Sequence, residues 1–324
     1  MFSPQATRLR RAARLALGAC VLAATRCGDR RAAAAPAAGR PAAITVTDDG
    51  GRPVHLAGPA RRVVCLIPSA TETLVALGAA DRLVGRTRYD VAPEVAALPS
   101  VGGGLDPSVE AIVALRPDLV LGWENDRRGE VREKLASLGI PVFSLRTEDT
   151  VDVFRNLAAI GRLAGRDSAA AAVAASIHHD FDAVRRSVAG RPRPRVFYVV
   201  SNDPPMTAGP QTFVAQLVGL AGGQSIFPDV RQSWPTVSME EIVRRAPDLV
   251  VVPRGERSRN EVPGTALAEL RARGGWRDVG AVRAGHVVTV DENLVNRPGP
   301  HVGEAARALR AVLHPELAAA AAGR

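Results

Sequence analysis

The feature that most constrains the fold is a repeat. The stretch "SVEAIVALRPDLVL" begins at Ser108, and "SMEEIVRRAPDLVV" begins at Ser238, 130 residues later. Eight of the fourteen aligned positions are identical without a gap. In each copy Ser and Glu open a helix, Ile and Val supply its apolar face, Pro stops it, and Asp leads into an apolar strand. Glu is favoured in the first turn because the amide end of a helix is electropositive. A helix that runs straight into a buried strand, twice, predicts two α/β units of one design.

The surroundings of both copies agree with that. In the first unit the apolar runs predict strands at 62–67, 82–86, 118–122 and 141–145, with helices near 70–78, 107–115 and 128–138. In the second, strands are expected at 195–200, 248–252 and 286–290, with helices from about 211, from 238, at 265–273 and from 301. This alternation is the pattern of βα units and a parallel sheet. Before the first unit, "ITVTDDGGRPVHL" alternates apolar and polar residues around Asp-Gly-Gly and reads as a β-hairpin. Residues 149–189 break the alternation with helical pattern interrupted only at Gly165-Arg166-Asp167, where Gly closes one helix and Asp caps the next. The second part, 167–189, is long, Ala-rich and followed by "GRPRPR", and it reads as a helix joining two lobes. The expected organisation is therefore an export signal and linker at 1–40, an N-terminal lobe with a leading hairpin at 41–148, linker helices at 149–190 and a C-terminal lobe at 191–324. The fold class is α/β: two Rossmann-like lobes with parallel sheets joined by one long α-helix, with a ligand cleft between them.

Charge enters here because a formal +9 invites a nucleic-acid reading. Residues 1–40 hold eight Arg against one Asp, so most of the excess lies in the leader, and the rest has no electrostatic footprint for phosphate. That leader has Arg8, Arg10, Arg11 and Arg14 ahead of the apolar run "LALGACVLAAT", which is too short to span a bilayer and reads as an export signal. Cys20 and Cys27 are candidate lipidation sites, with ordinary cleavage as the alternative, so the expected location is periplasmic or lipid-anchored at the cell surface. Cys65, the only other cysteine, lies in "RRVVCLIPS" and reads as a small buried hydrophobe on a strand.

In open α/β sheets ligands collect at the carboxyl ends of the strands, so two facing lobes place their loops on one cleft. Aromatic residues are only 4% of the chain, and three of them, Tyr89, Trp123 and Trp234, fall in those loops. Large flat side chains there suit a large apolar ligand. Trp276 reads as core. Asp291, Asn296 and Arg297 offer polar groups on one late loop, which "RPGP" stiffens. An enzyme is the alternative from another class. No G-x-S-x-G, H-E-x-x-H or P-loop pattern is present, "GGG" at 102–104 does not join a strand to a helix, and a two-lobed metal-cofactor enzyme would need more than one Cys in the body. His178 and His179 are adjacent and diverge around their helix, unlike a metal pair.

"SATETLVALG", "VGRTRYD", "SVEAIVALRPDLVLGW", "LASLGIPV", "PPMTAG", "WPTVS" and "NRPGP", in that order, resemble a substrate-binding protein of ABC importers with a single-helix hinge, the class III periplasmic binding proteins. The likeness spans residues about 60–315 and is greatest to the periplasmic vitamin B12-binding proteins. It implies that Tyr89, Trp123 and Trp234 contact a corrin, with Met206 in place of a family Phe and Gly104 in place of a family Trp. It also maps an acidic and an Arg contact loosely onto Asp291 and Arg297. Glu110 and Glu240, the two glutamates of the repeat, match the residues that dock into Arg pockets on the permease. The resemblance thus implies cobalamin as ligand, with ferric siderophore or haem as alternatives, and haem would use Tyr89 or His301 as axial ligand. It implies no resident cofactor and no metal. The expected partners are an ABC permease dimer with its ATPase, for a protein that is itself monomeric.

Overall fold

The computed structural model describes residues 42–124, 129–255 and 265–317. The export signal and its cysteines lie outside the described residues. Strands β1 (Ile44–Thr47) and β2 (Pro53–Leu56) pair antiparallel as the leading hairpin. Then come β3 (Val63–Cys65), α1 (Pro68–Ala76), β4 (Leu83–Gly85), α2 (Val109–Ala114), β5 (Leu119–Trp123), α3 (Glu130–Ser137) and β6 (Val142–Leu145). These strands form one parallel sheet in the order β4-β3-β5-β6. The second sheet has β7 (Arg195–Tyr198), β10 (Gln224–Ser225), β11 (Leu249–Arg254) and β12 (Val287–Asp291), parallel in the order β10-β7-β11-β12. Its helices are α6 (Phe213–Leu220), α7 (Met239–Arg245), α8 (Thr265–Ala272), α9 (Gly280–Ala284), α10 (Glu292–Val295) and α11 (Val302–Leu313). A small hairpin, β8 (Ser201–Asn202) with β9 (Pro205–Met206), follows β7.

The repeat is structural down to single hydrogen bonds. Ser108 caps α2 by accepting from the Ala111 amide, and Ser238 caps α7 by accepting from the Glu241 amide. Eight residues after each Ser, the chain turns through the left-handed region, at Arg116 (φ 47°) and Ala246 (φ 42°). Asp118 then accepts from the Arg61 and Arg62 amides at 2.8 and 2.9 Å, and Asp248 accepts from the Arg195 amide at 2.8 Å. Each of these bonds ties the start of the helix-linked strand to its central neighbour, β3 or β7. The guanidinium groups of Arg62 and Arg195 complete the match: they donate to the last carbonyls of α2 and α7, Leu115 with Arg116 and Arg245 with Ala246. A cation at the carbonyl end of a helix opposes its dipole and fills acceptors left without amides.

Between the sheets run α4 (Thr150–Ala164) and α5 (Asp167–Val188). Asp149 caps α4, and Gly165 ends it at φ 61°, so the helical break falls where the sequence places it. Alternation along the central strands sends Val63 and Cys65, or Val196 and Tyr198, to one face, and Val64, or Phe197 with Val199, to the other. The first set joins Leu157, Ile160, Ile177, Phe181 and Val184 of α4 and α5 in a single apolar core that is continuous between the two sheets. Asp180 of α5 pairs with Arg307 of α11. The linker helices are thus packed structure shared by both lobes. Among the described residues no helix is long and apolar enough to cross a membrane.

Candidate functional site

The carboxyl ends of β3 and β5 meet those of β7 and β12 across a cleft with two chambers, of about 880 and about 920 Å³. Leu105, Asp106, Trp123, Asn296 and Pro298 line both, so they form the waist between them. The first chamber adds Leu145, Val200, Phe213 and Trp234; the second adds Ile67, Pro68, Tyr89 and Val91. Tyr89, Leu105 and Trp234 are 54%, 73% and 39% exposed, so the cleft presents apolar surface that its own fold leaves uncovered.

Trp123 ends β5, where the strand's register against Leu145 carries it to the sheet edge. Tyr89 sits on a turn that Asp90 holds by accepting from the Thr87 hydroxyl and amide at 2.7 and 2.6 Å. Trp234 lies in the loop before α7. Trp123 lines both chambers, Trp234 only the first and Tyr89 only the second, so the three face the cleft from either side of its waist. Met206 and Asp291 do not line either chamber. Met206 is drawn into the β8–β9 hairpin, where its carbonyl accepts from the Val200 amide and it bridges to Thr236. Asp291 caps α10, accepting from the Asn293 amide at 3.0 Å. His301 also lies outside both linings, and Trp276 is core, its indole N–H donating to the Asn202 carbonyl at 3.1 Å.

Arg297 does reach the second chamber, but its guanidinium is engaged across the lobes. It pairs with Glu72 of α1 at 2.5 Å and donates to the Tyr89 carbonyl at 2.8 Å and to Asn293 Oδ1 at 2.7 Å. Burial pushes the Glu72 carboxyl above its ordinary range, although Arg297 pulls it the other way. The other two arginines of the lining are held likewise: Arg88 pairs with Asp106 at 2.5 Å and Arg146 with buried Asp152 at 3.2 Å. Among the described residues, no arginine of the lining is without a carboxylate. On the far side of the cleft, Thr150 and its hydroxyl donate to Gln216, and Phe213 N donates to the Glu148 carbonyl, so hydrogen bonds link the lobes there too.

Leu105 was not legible as a site residue, and its placement follows from the three glycines before it. Gly102 turns at φ 99°, and a Cβ on Gly103 or Gly104 would run into Asp106 or the Leu66 carbonyl oxygen respectively. The loop can lie that close only without side chains, so no aromatic ring fits at 104, and Leu105 supplies the apolar surface next to it. The signal was "GGGLD" itself, glycines followed by one apolar residue; contrary to the sequence reading, these glycines do lie in a strand-to-helix connection, the one from β4 to α2. Burial pushes the Cys65 thiol up, and among the described residues no group of three His, Cys, Asp or Glu suits a metal.

The family described as Periplasmic binding protein matches residues 63–294, which takes in both sheets and most of the cleft. The chain belongs to the periplasmic binding protein family. Outside the cytoplasm, a periplasmic binding protein carries a small molecule to the permease of an ABC transporter, and it is not an enzyme. Three similar proteins are named for what they carry. A "Cobalamin-binding protein" of Halobacterium salinarum is 36% identical over 269 residues, 81% of this chain and 71% of that one. The crystal structure of the periplasmic vitamin B12-binding protein BtuF of Vibrio cholerae aligns with a TM-score of 0.65 at 25% identity, over 79% of this chain and 97% of that one. That of the periplasmic haem-binding protein BhuT in complex with two haems aligns at 0.69 and 26%, over 80% and 100%. These likenesses give this binding protein its class III architecture of two α/β lobes.

Proposed function

We propose that this periplasmic binding protein captures a corrinoid of the cobalamin type and delivers it to an ABC permease dimer. The carrying observation is the cleft's combination of wide apolar walls with lining arginines that, among the described residues, are all paired. A ferric siderophore or a haem brings anionic groups that want uncommitted cations. A corrinoid brings a broad apolar face rimmed by neutral carboxamides, which suits Trp123, Trp234, Tyr89 and Leu105 on the walls and Asn293 and Asn296 between them. The named ligand of the Halobacterium relative supports the same choice. Haem is the second reading, supported by the BhuT likeness and by Tyr89 as a phenol within the lining. No resident cofactor takes part.

Docking is assigned to Glu110 and Glu240. Both are exposed first-turn residues on α2 and α7, and the ten-residue stretches from Ser108 and Ser238 have the same order of buried and exposed positions. Two matching faces suit a two-fold partner, and charge complementarity sets their orientation. The protein works as an exported monomer, periplasmic or lipid-anchored.

The test is titration of the mature protein with cyanocobalamin, haemin and a ferric hydroxamate while following Trp fluorescence. Quenching by cyanocobalamin at micromolar concentration or below is expected, with at least about a tenfold loss in Trp123→Ala, Trp234→Ala. Tight binding of haemin with none of the corrinoid would overturn the reading.

A further inference from the structure

Of the five waist residues, Asp106 is taken up by Arg88, and Leu105 and Pro298 are apolar. Asn296 is different. Its backbone is set at the end of α10, where its amide donates to the Glu292 carbonyl at 3.0 Å, and "RPG" follows. Its side chain is exposed to both chambers, yet it is held from beneath: the Tyr198 hydroxyl, from β7 and 98 residues earlier in the chain, donates to Asn296 Oδ1 at 2.7 Å. Tyr198 is 4% exposed, and burial keeps its phenol protonated far above neutral pH, so it is a permanent donor. An amide whose oxygen is occupied from inside has only its two N–H groups left to offer. Among the described residues no acceptor engages them.

We propose that Asn296 is a ligand-contacting residue whose Nδ2 donates to a carbonyl oxygen of the bound molecule, with Tyr198 as its positioning residue. The choice of ligand rests on the corrinoid reading, since the corrin rim carries carboxamide oxygens in a ring around an apolar face. Seated at the waist, Asn296 meets any molecule that reaches from one chamber into the other. The buried phenol fixes which end of the amide faces outward, which removes the ambiguity an exposed Asn would otherwise have and lowers the ordering cost on binding.

A double-mutant cycle tests this, with cyanocobalamin and haemin as probes and thermal melting of the unliganded proteins as the folding control. Asn296→Ala is expected to weaken cyanocobalamin binding about tenfold and Tyr198→Phe about threefold. The double variant is expected to be no weaker than Asn296→Ala, because Tyr198 acts only through the amide; a merely structural Tyr198 would add its loss to the other. Asn296→Asp, which exchanges the donors for a carboxylate, is expected to bind less tightly than Asn296→Ala at neutral pH. Binding of Asn296→Ala within twofold of wild type, or losses that add, would overturn the proposal while leaving the corrinoid reading in place. Should Tyr198→Phe not fold, the order of the Ala and Asp variants decides. If the wild type takes haemin alone, the corrinoid reading falls and the same cycle judges Asn296 on haemin; binding of neither probe defeats both.

Discussion

Glu72 and Arg297 show how a residue that resembles a ligand contact becomes a part of the frame. The pair joins α1 to the loop after α10, with side chains 12% and 14% exposed. Removing two charges from water costs more than one contact returns unless further hydrogen bonds help, and here Arg297 has them from the Tyr89 carbonyl and Asn293. Glu72 has fewer, so burial outweighs Arg297 and raises its folded pKa above the 4.5 of a free carboxyl. A raised folded value means that protonated Glu72 favours the fold. Its contribution is whole below about pH 4.5 and is lost as pH rises through the folded value. Glu72→Gln keeps an acceptor for Arg297 and cannot ionise. Its melting temperature relative to wild type is therefore expected to climb between pH 4 and 7, and a relative fall over that window would contradict this account.

At the scale of elements, the repeated unit is a helix, a left-handed corner and a strand, and the corner carries a cost. Arg116 and Ala246 hold a conformation in which Cβ crowds the following carbonyl. Ala246 is exposed, so its methyl returns no packing. Ala246→Gly is expected to stabilise the fold by about 0.5–1 kcal/mol, the relief of strain exceeding the extra chain entropy of Gly. Chemical denaturation measures it, and a destabilised variant would mean that the corner is not strained. This corner was invisible in the sequence, although everything around it was legible. The apolar runs marked the central strands, Gly165 marked the helical break, and Pro117 and Pro247 marked the helix ends, because each acts through its immediate neighbours. Arg62 and Arg195 were missed as caps because their carbonyls lie fifty or more residues away. The two-residue strands β8, β9 and β10 were missed because pairing, not periodicity, makes them. Trp123, Trp234 and Tyr89 were legible from scarcity and loop position, whereas Met206 looked equivalent to them until a tight hairpin turned it aside. The Tyr198–Asn296 bond depends on how distant segments pack, and local pattern holds no trace of that, whereas Leu105 left one in the glycines before it.

For the molecule as a whole, the docking assignment predicts a particular division of labour. Glu110→Gln and Glu240→Gln are expected each to slow ligand transfer to permease in vesicles by about tenfold or less, with the salt dependence of association reduced in the double variant, while cyanocobalamin affinity stays unchanged. Transfer at the wild-type rate by the double variant would remove these helices from the docking face. The single apolar core that passes through α4 and α5 bears on the same step. It welds the two halves through a packed spine, and interlobe hydrogen bonds brace the gap on either flank. Such a scaffold is built to hold its jaws at a set separation, so little of the grip on a guest is spent on swinging them shut. A transporter that tells full carriers from empty ones would then have to sense small adjustments at the lips.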